Sequence, residues 1–223
     1  MQGKNIFLIS GWATAGKDHL AEHLVKNHNF IKFAFADELK KFTSSKYGFD
    51  IELTQSQEGK KCIINGNKNS FGTGPPFSCS VRDLLIEEGS SKRNSDPNFW
   101  CQNIVEKISF MEKINDLKNT VSGGTSGTST GITATQVAPL NIVISDWRYH
   151  NEFNVISKVF KENFNITTIR VKKRNLDESP VDSSSETQLD NFDFDFIIQN
   201  NGDYTFNDNI DSLVNYIKIR DVI

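Results

Sequence analysis

Gly11-Trp12-Ala13-Thr14-Ala15-Gly16-Lys17-Asp18 follows the apolar run Ile6-Phe7-Leu8-Ile9 and precedes the helix-like stretch Leu20-Ala21-Glu22-His23-Leu24-Val25. A buried strand, a loop of pattern G-x-x-x-x-G-K and then a helix form a cradle for phosphate groups. The backbone N–H groups of the loop surround the phosphates, the helix N-terminus adds partial positive charge, and the lysine reaches the outer phosphates. One position departs from the usual pattern: Asp18 stands where a serine or threonine ordinarily ligates magnesium.

Outward from this loop, strand and helix signals alternate. The spacing predicts strands over 5–10, 30–35, 140–145, 166–172 and 194–199, and helices over 17–28, 37–47, 80–89, 97–113, 149–162 and 207–219. Strands joined by helical crossovers imply an α/β fold, a parallel sheet with helices on both faces. Ligands of such sheets sit at the carboxyl ends of the strands, where both Gly11 and Asp146 fall. Two stretches, 51–78 and 118–138, do not fit the alternation and read as irregular. The second is rich in Gly, Ser and Thr and has too little apolar surface to offset its ordering entropy. A single domain over 1–223 with a flexible insertion at about 118–138 is therefore expected.

The composition narrows the class. At 223 residues, with 37% hydrophobic and 24% charged residues, the chain suits one well-buried globular domain. A net charge of −3 argues against broad binding to nucleic acid. No apolar run approaches the roughly 20 residues needed to span a bilayer, and no signal-peptide pattern precedes the loop. The three cysteines, Cys62, Cys79 and Cys101, are widely spaced and read as reduced thiols of a cytoplasmic protein.

Several residues join the loop as candidates. The strand Leu140–Ser145 ends in Asp146-Trp147-Arg148. A carboxylate at that strand end suits magnesium, and Arg148 suits a forked grip on an acceptor phosphate. The alternative for Asp146 is the N-cap of the following helix. Arg82 opens a helix and Lys40 lies on another; each also reads as an ordinary exposed charge. Lys172, Lys173 and Arg174 follow the strand Thr168–Val171, where a basic segment would close over phosphates and exclude water. A competing motif overlaps the loop: His19-Leu20-Ala21-Glu22-His23 matches H-x-x-E-H, with two histidines spaced to share one helix face and a zinc ion.

A G-x-x-x-x-G-K loop closed by Asp resembles the bacteriophage deoxynucleoside monophosphate kinases and the animal-type phosphomevalonate kinases, which share a P-loop, nucleoside-monophosphate-kinase-like fold. The resemblance continues through Phe35–Lys40, Ser80-Val81-Arg82 with Gly89-Ser90, Asp96–Trp100, Ser145–Arg148, Ser185-Glu186 and Phe194–Gly202. It implies ATP and Mg²⁺, with Gly11, Gly16, Lys17, Asp18 and His19 on the ATP phosphates, Lys173 and Arg174 closing from a lid, and Asn200 near the adenine. It places Ala13, Leu39, Lys40, Arg82, Gly89, Ser90, Trp100 and Arg148 at a small-molecule acceptor, a deoxynucleoside monophosphate, with Trp100 stacking on the base. Lys17, Asp18, Arg148 and Arg82 are the expected catalytic set, and Asp18 and Asp146 the metal ligands. Neither nucleic acid nor a membrane is an expected partner, and a homodimer is compatible with the reading. The chain departs from both relatives at Ala13-Thr14, where they carry basic residues. Residues 87–101 and Leu189–Phe192 look closest to the phosphomevalonate kinases, whereas Phe35–Lys40 and Val81-Arg82 look closest to the nucleotide kinases. A catalytically inactive nucleotide-binding protein is the remaining alternative.

Overall fold

Ile6, Phe7, Leu8 and Ile9 are all fully buried. The strand that carries them, β1 (Lys4–Ser10), therefore has apolar side chains on both faces and must lie inside a covered sheet. The computed structural model, which describes residues 3–67, 76–122, 139–173 and 187–220, places it there. Five parallel strands lie in the order β2 (Phe30–Phe33), β5 (Asn141–Ile144), β1, β6 (Phe164–Lys173) and β7 (Phe196–Asn200). The chain leaves β1 toward β2 at one edge, whereas from β5 it passes back across β1 to β6. The connections leaving the adjacent strands β1 and β5 thus run in opposite directions, and in such sheets ligands bind beyond the carboxyl ends of the strands at that switch.

The chain divides into two compact units, Phe35–Asn103 and Met1–Ala34 with Ile104–Ile223. The sheet belongs to the latter. On one face, Phe7, Ile9, Val143, Ile169, Val171 and Ile198 pack against α1 (Lys17–His28) and the C-terminal helix α6 (Thr205–Arg220). The alternate residues Ile6, Leu8, Ile142 and Ile144 are equally buried on the other face, as the two-residue period of a strand requires. Trp147, which follows β5, forms an aromatic cluster with Phe192, Phe194 and Phe153, a residue of α5 (His150–Phe160); the ring centroids lie 4.8–5.8 Å from the indole. α1 ends where Asn29 takes a left-handed conformation (φ 58°) and returns its N–H to the Leu24 carbonyl.

In the unit Phe35–Asn103, α2 (Ala36–Tyr47) stops at left-handed Gly48, whose N–H donates to Ser44 O at 2.9 Å. Helix α3 (Val81–Ser95) begins with a reciprocal capping box between Ser80 and Asp83. A small core of Phe49, Val81 and Leu84 gathers Tyr47, Leu53, Ile64, Phe77 and Cys79 around it. Cys62, Cys79 and Cys101 form no disulfide among the described residues. Among the described residues no helix is long and apolar enough to cross a membrane.

The α/β parallel sheet with flanking helices is the fold class expected from the sequence. Three local expectations change. The irregular reading of 51–78 gives way to an antiparallel ribbon of β3 (Ile63–Asn67) and β4 (Pro76–Ser80), paired from Ile63↔Ser80 to Asn67↔Pro76. α3 runs on through Gly89 to Ser95, because a Cβ at that position would meet Leu39 Cδ2 at 3.1 Å; the glycine serves packing and not helix termination. α4 (Phe99–Ser122) takes in 118–122, and the remainder of the expected insertion, 123–138, lies outside the described residues.

Glu88, buried in α3, accepts from Lys46 Nζ at 2.5 Å and Tyr47 Oη at 2.7 Å. Burial pushes its carboxyl up. The hydrogen bonds from Lys46 and Tyr47, with the charges of Lys46 and Lys92, outweigh that and hold it below the usual value. A carboxyl depressed in the folded state stabilises fully above its unfolded pKa of about 4.3, and the contribution fades as pH falls through the lower folded value. Urea unfolding between about pH 6 and about pH 3 should therefore lose more stability in the wild type than in Glu88→Gln. Parallel curves would remove Glu88 from the acid response.

Candidate functional site

The loop Gly11–Gly16 owes its shape to two close approaches that only glycine permits. A Cβ on Gly11 (φ +155°) would lie 2.6 Å from the Val171 carbonyl oxygen, and one on Gly16 (φ +105°) 2.4 Å from Asn200 Nδ2. The same Asn200 Nδ2 donates to Ala15 O at 2.9 Å, and its Oδ1 accepts from Gly202 N at 2.9 Å. Asn200, expected near an adenine, is thus a backbone clamp on the loop. Gly16 also opens α1, and no side chain caps that helix. The helix therefore presents its N-terminus to the loop as an anion cradle does. Lys17 Nζ donates to the carbonyls of Gly11 and Trp12 at 2.6 and 2.8 Å, which keeps the ammonium over the loop. Thr14 holds a left-handed φ of 62°, and Ala13 is exposed beside it.

Beneath the loop lies a group that the sequence reading passed over. Arg170 in β6 is opposite Ser10 in the strand register, and its Nη1 donates to Ser10 Oγ at 3.0 Å. Its Nη2 is paired with Asp190, which also accepts from Trp12 Nε1 at 3.1 Å. The guanidinium carbon lies 5.9 Å from the Trp12 ring centroid and 5.6 Å from that of Phe194. The loop's aromatic residue is therefore held by Asp190, the partner of a buried arginine. An arginine inside the otherwise apolar run Ile169–Val171 was the available signal, since a buried charge requires a partner.

Four candidates, Asp146, Arg148, Lys172 and Lys173, lie at or just beyond the carboxyl ends of β5 and β6. Ser145 N–H donates to Phe33 O and Trp147 N–H to Ile9 O, each at 3.1 Å, which brings the turn containing Asp146 alongside the end of β1. The helix after it has Tyr149 and not Asp146 at its N-cap, and Glu152 Oε2 accepts from the backbone N–H groups of Arg148 and Tyr149 at 2.8 and 3.0 Å, which holds the backbone of Arg148. Lys172 and Lys173 are exposed directly after Val171, the residue that Gly11 approaches. Arg174 lies outside the described residues, as do Ser185 and Glu186.

Asp18, in the first turn of α1, keeps 79% of its side chain exposed and pairs with Lys32 Nζ at 3.0 Å. His19 donates through Nε2 to Asn207 Oδ1 at 2.7 Å and lies 5.6 Å from the Phe206 ring. His23 turns instead to Asp211. The two histidines of the H-x-x-E-H pattern thus have separate partners and do not form the zinc-protease pair.

The acceptor candidates Leu39, Lys40, Arg82, Gly89, Ser90 and Trp100 all fall in the unit Phe35–Asn103. Arg82 and Ser90 are exposed on α3, and Arg82 Nη2 donates to Gln57 Oε1. Leu39 and Lys40 are half-buried on α2. Trp100 corrects the expectation of base stacking: it is 4% exposed, its Nε1 donates to Gly89 O at 3.3 Å, and its ring meets Phe42 and Phe99 edge-on. The indole is packed inside this unit against Phe42, Phe99 and the Gly89 carbonyl, and Leu39 lies against Gly89.

Gly16→Ala should destabilise by about 1–3 kcal/mol through its left-handed backbone alone, and by more through the clash with Asn200. In Gly16→Ala/Asn200→Ala the steric part should vanish, so the two losses measured by urea unfolding should be clearly less than additive. Full additivity would mean that Asn200 does not set the loop. Arg170→Met should cost about 3–5 kcal/mol by stranding Asp190, toward the lower figure because Asp190 is partly exposed. Indole fluorescence of Trp12 should change with it; an unchanged spectrum and stability would contradict the anchoring role.

No family model matches the chain, and no curated protein matches it. Among solved structures it is similar to the dephospho-CoA kinase from Campylobacter jejuni, with 14% identity over 96% of this chain and 98% of that one and a TM-score of 0.45. It is also similar to a Thermus thermophilus protein of known crystal structure, with 14% identity over 95% of this chain and 96% of that one and a TM-score of 0.36. The functional reading therefore rests on the loop itself.

Proposed function

We propose that the chain transfers the γ-phosphoryl group of ATP to the phosphate of a small acceptor, a deoxynucleoside monophosphate being the first choice. The observation that carries this is the glycine-shaped loop Gly11–Gly16 leading into the uncapped N-terminus of α1, with the Lys17 ammonium held over it. Such an arrangement binds a polyphosphate in preference to a single neutral group. An oxygen of the acceptor phosphate attacks the γ-phosphorus, the bond from that phosphorus to the β–γ bridging oxygen breaks, and ADP leaves with two diphosphates formed overall. Catalysis then needs positioning and charge neutralisation and no covalent intermediate.

Lys17 exchanges its loop carbonyls for phosphate oxygens and follows the migrating group. Gly16 and the first turn of α1, with His19 beside it, hold the non-transferred phosphates. Magnesium, when bound, would supply positive charge that neutralises the phosphates. The exposed carboxylate of Asp18 and that of Asp146 beyond β5 are oxygen donors of the kind it takes. Asp18 leaves Lys32 to do so. Arg148, its backbone held by Glu152, is the candidate grip on the acceptor phosphate, and Arg82 and Lys40 are the cations that the unit Phe35–Asn103 offers an acceptor. Lys173 and Arg174 close over the triphosphate and supply the positive charge that Ala13-Thr14 lacks.

The acceptor is narrower in one reading and equally served in another. Phe35–Lys40 and Val81-Arg82 favour a nucleotide. The burial of Trp100 takes away a stacking platform for the base, which raises the standing of phosphomevalonate as acceptor.

Coupled ADP release, run with each deoxynucleoside monophosphate and with phosphomevalonate, tests the reading. ADP formed only in the presence of one acceptor supports it and names the branch. Nucleotide binding without ADP release under any acceptor would instead mark a catalytically inactive binding protein. Lys17→Ala should lower turnover by several orders of magnitude, with circular dichroism unchanged and unfolding free energy within about 1–3 kcal/mol of wild type, since two hydrogen bonds are lost. Phosphoryl transfer retained in that variant would sink the mechanism.

A further inference from the structure

The end of α1 remote from the phosphate loop carries a second constellation, unrelated to phosphate. His23 and His28 stand five residues apart, about 140° around a helix of 3.6 residues per turn, so helical spacing alone would separate them. Both nevertheless reach Asp211 on α6. His23 Nε2 donates to Asp211 Oδ1 at 2.7 Å and His28 Nε2 donates to the same oxygen at 2.6 Å. The three ligating atoms all lie within 4.8 Å of one another, and the two rings are 5.8 Å apart. The histidine side chains are only 12% and 11% exposed, whereas Asp211 is 45% exposed, which leaves an approach from solvent along the carboxylate.

We propose that His23, His28 and Asp211 bind one first-row divalent transition metal, zinc being best suited, which clamps the end of α1 to α6. Two imidazoles and one carboxylate are a donor set that zinc takes with a further position left to water. Zinc bonds of about 2.0–2.1 Å in a tetrahedron place ligand atoms ~3.3 Å apart. The N–O separations here must open by roughly 0.6–0.7 Å to reach that, a movement within the reach of side-chain torsions. As the metal takes each Nε2, the proton that nitrogen shares with Asp211 passes by exchange with solvent to Nδ1, so each ligating ring stays neutral and Asp211 keeps its charge for the metal.

An outer partner is also in place. Asn27 Nδ2 donates to His23 Nδ1 at 3.1 Å, which sets the proton of the neutral ring on Nε2. A half-turn of that amide presents Asn27 Oδ1 to an Nδ1–H and frees Nε2 for the metal, the usual way a second partner orients a ligating histidine. Magnesium and calcium prefer all-oxygen sites, so this trio discriminates against the ion that ATP carries.

The test uses the full chain, stripped with a chelator and free of nucleotide. Titration calorimetry with zinc chloride should give one equivalent, and cobalt(II) should give the strong visible absorption of a four-coordinate N/O site. Zinc should raise Tm by several degrees. His28→Ala and Asp211→Asn should each weaken zinc binding at least tenfold and abolish the cobalt spectrum, whereas His150→Ala should bind as wild type. Asp211→Asn keeps size and hydrogen-bonding capacity, so it decides the matter if His28→Ala folds poorly. Absence of zinc binding, binding unchanged in Asp211→Asn, or displacement of zinc by equimolar magnesium would each overturn the proposal.

Discussion

Two missing Cβ atoms set the geometry on which the site depends. At Gly11 the loop passes so close to the Val171 carbonyl, and at Gly16 so close to the Asn200 amide, that any side chain would force the backbone aside. Those contacts dock the loop onto the carboxyl ends of β6 and β7. They also aim the uncapped start of α1 at the space above the sheet. The sheet in turn is rigid because β1 is apolar on both faces and covered on both. The cradle is thus a property of the whole parallel sheet and not of eight residues.

Charge under and over the loop is handled differently. Below it, the Arg170 guanidinium is buried and committed to Asp190 and Ser10, so its role is to hold Trp12 and the β1–β6 seam. Above it, Lys17 spends its donors on loop carbonyls, and Lys172 and Lys173 leave β6 exposed at the same edge. A buried, neutralised cation can position a site, whereas a mobile exposed one can answer charge that develops during a reaction.

How much of this was legible in the sequence follows from the range of the forces involved. The strand–loop–helix around Gly11–Asp18 was readable because apolar run, glycines and helix period all lie within 25 residues and agree. The ribbon Ile63–Asn67 and Pro76–Ser80 was not, because asparagine, glycine and proline disguise strands whose inward residues are as few as Ile64, Phe77 and Cys79. Gly89 looked like a helix end, but its missing side chain accommodates Leu39, and its carbonyl receives the Trp100 indole. Pairings such as Arg170 with Asp190, or His23 and His28 with Asp211, depend on tertiary proximity. A linear reading offers for them only the oddity of a charge in an apolar run or of two histidines at a spacing that fits no template.

The Asn200 clamp has a consequence for how the chain is made. The hydrogen bond from Asn200 to Ala15 spans 185 residues, and the Gly11–Val171 approach spans nearly as many. During synthesis the N-terminal side of a chain emerges first, so the loop leaves the ribosome well before β6 and β7. It cannot take its final form until β6 and β7 arrive to receive it. Until then β1, with an apolar row on each face and no neighbour, is a bare strand in search of a partner, and such long-range pairing is slow to form. The segment that makes the protein useful is therefore also the one that leaves the nascent chain most exposed to misassembly.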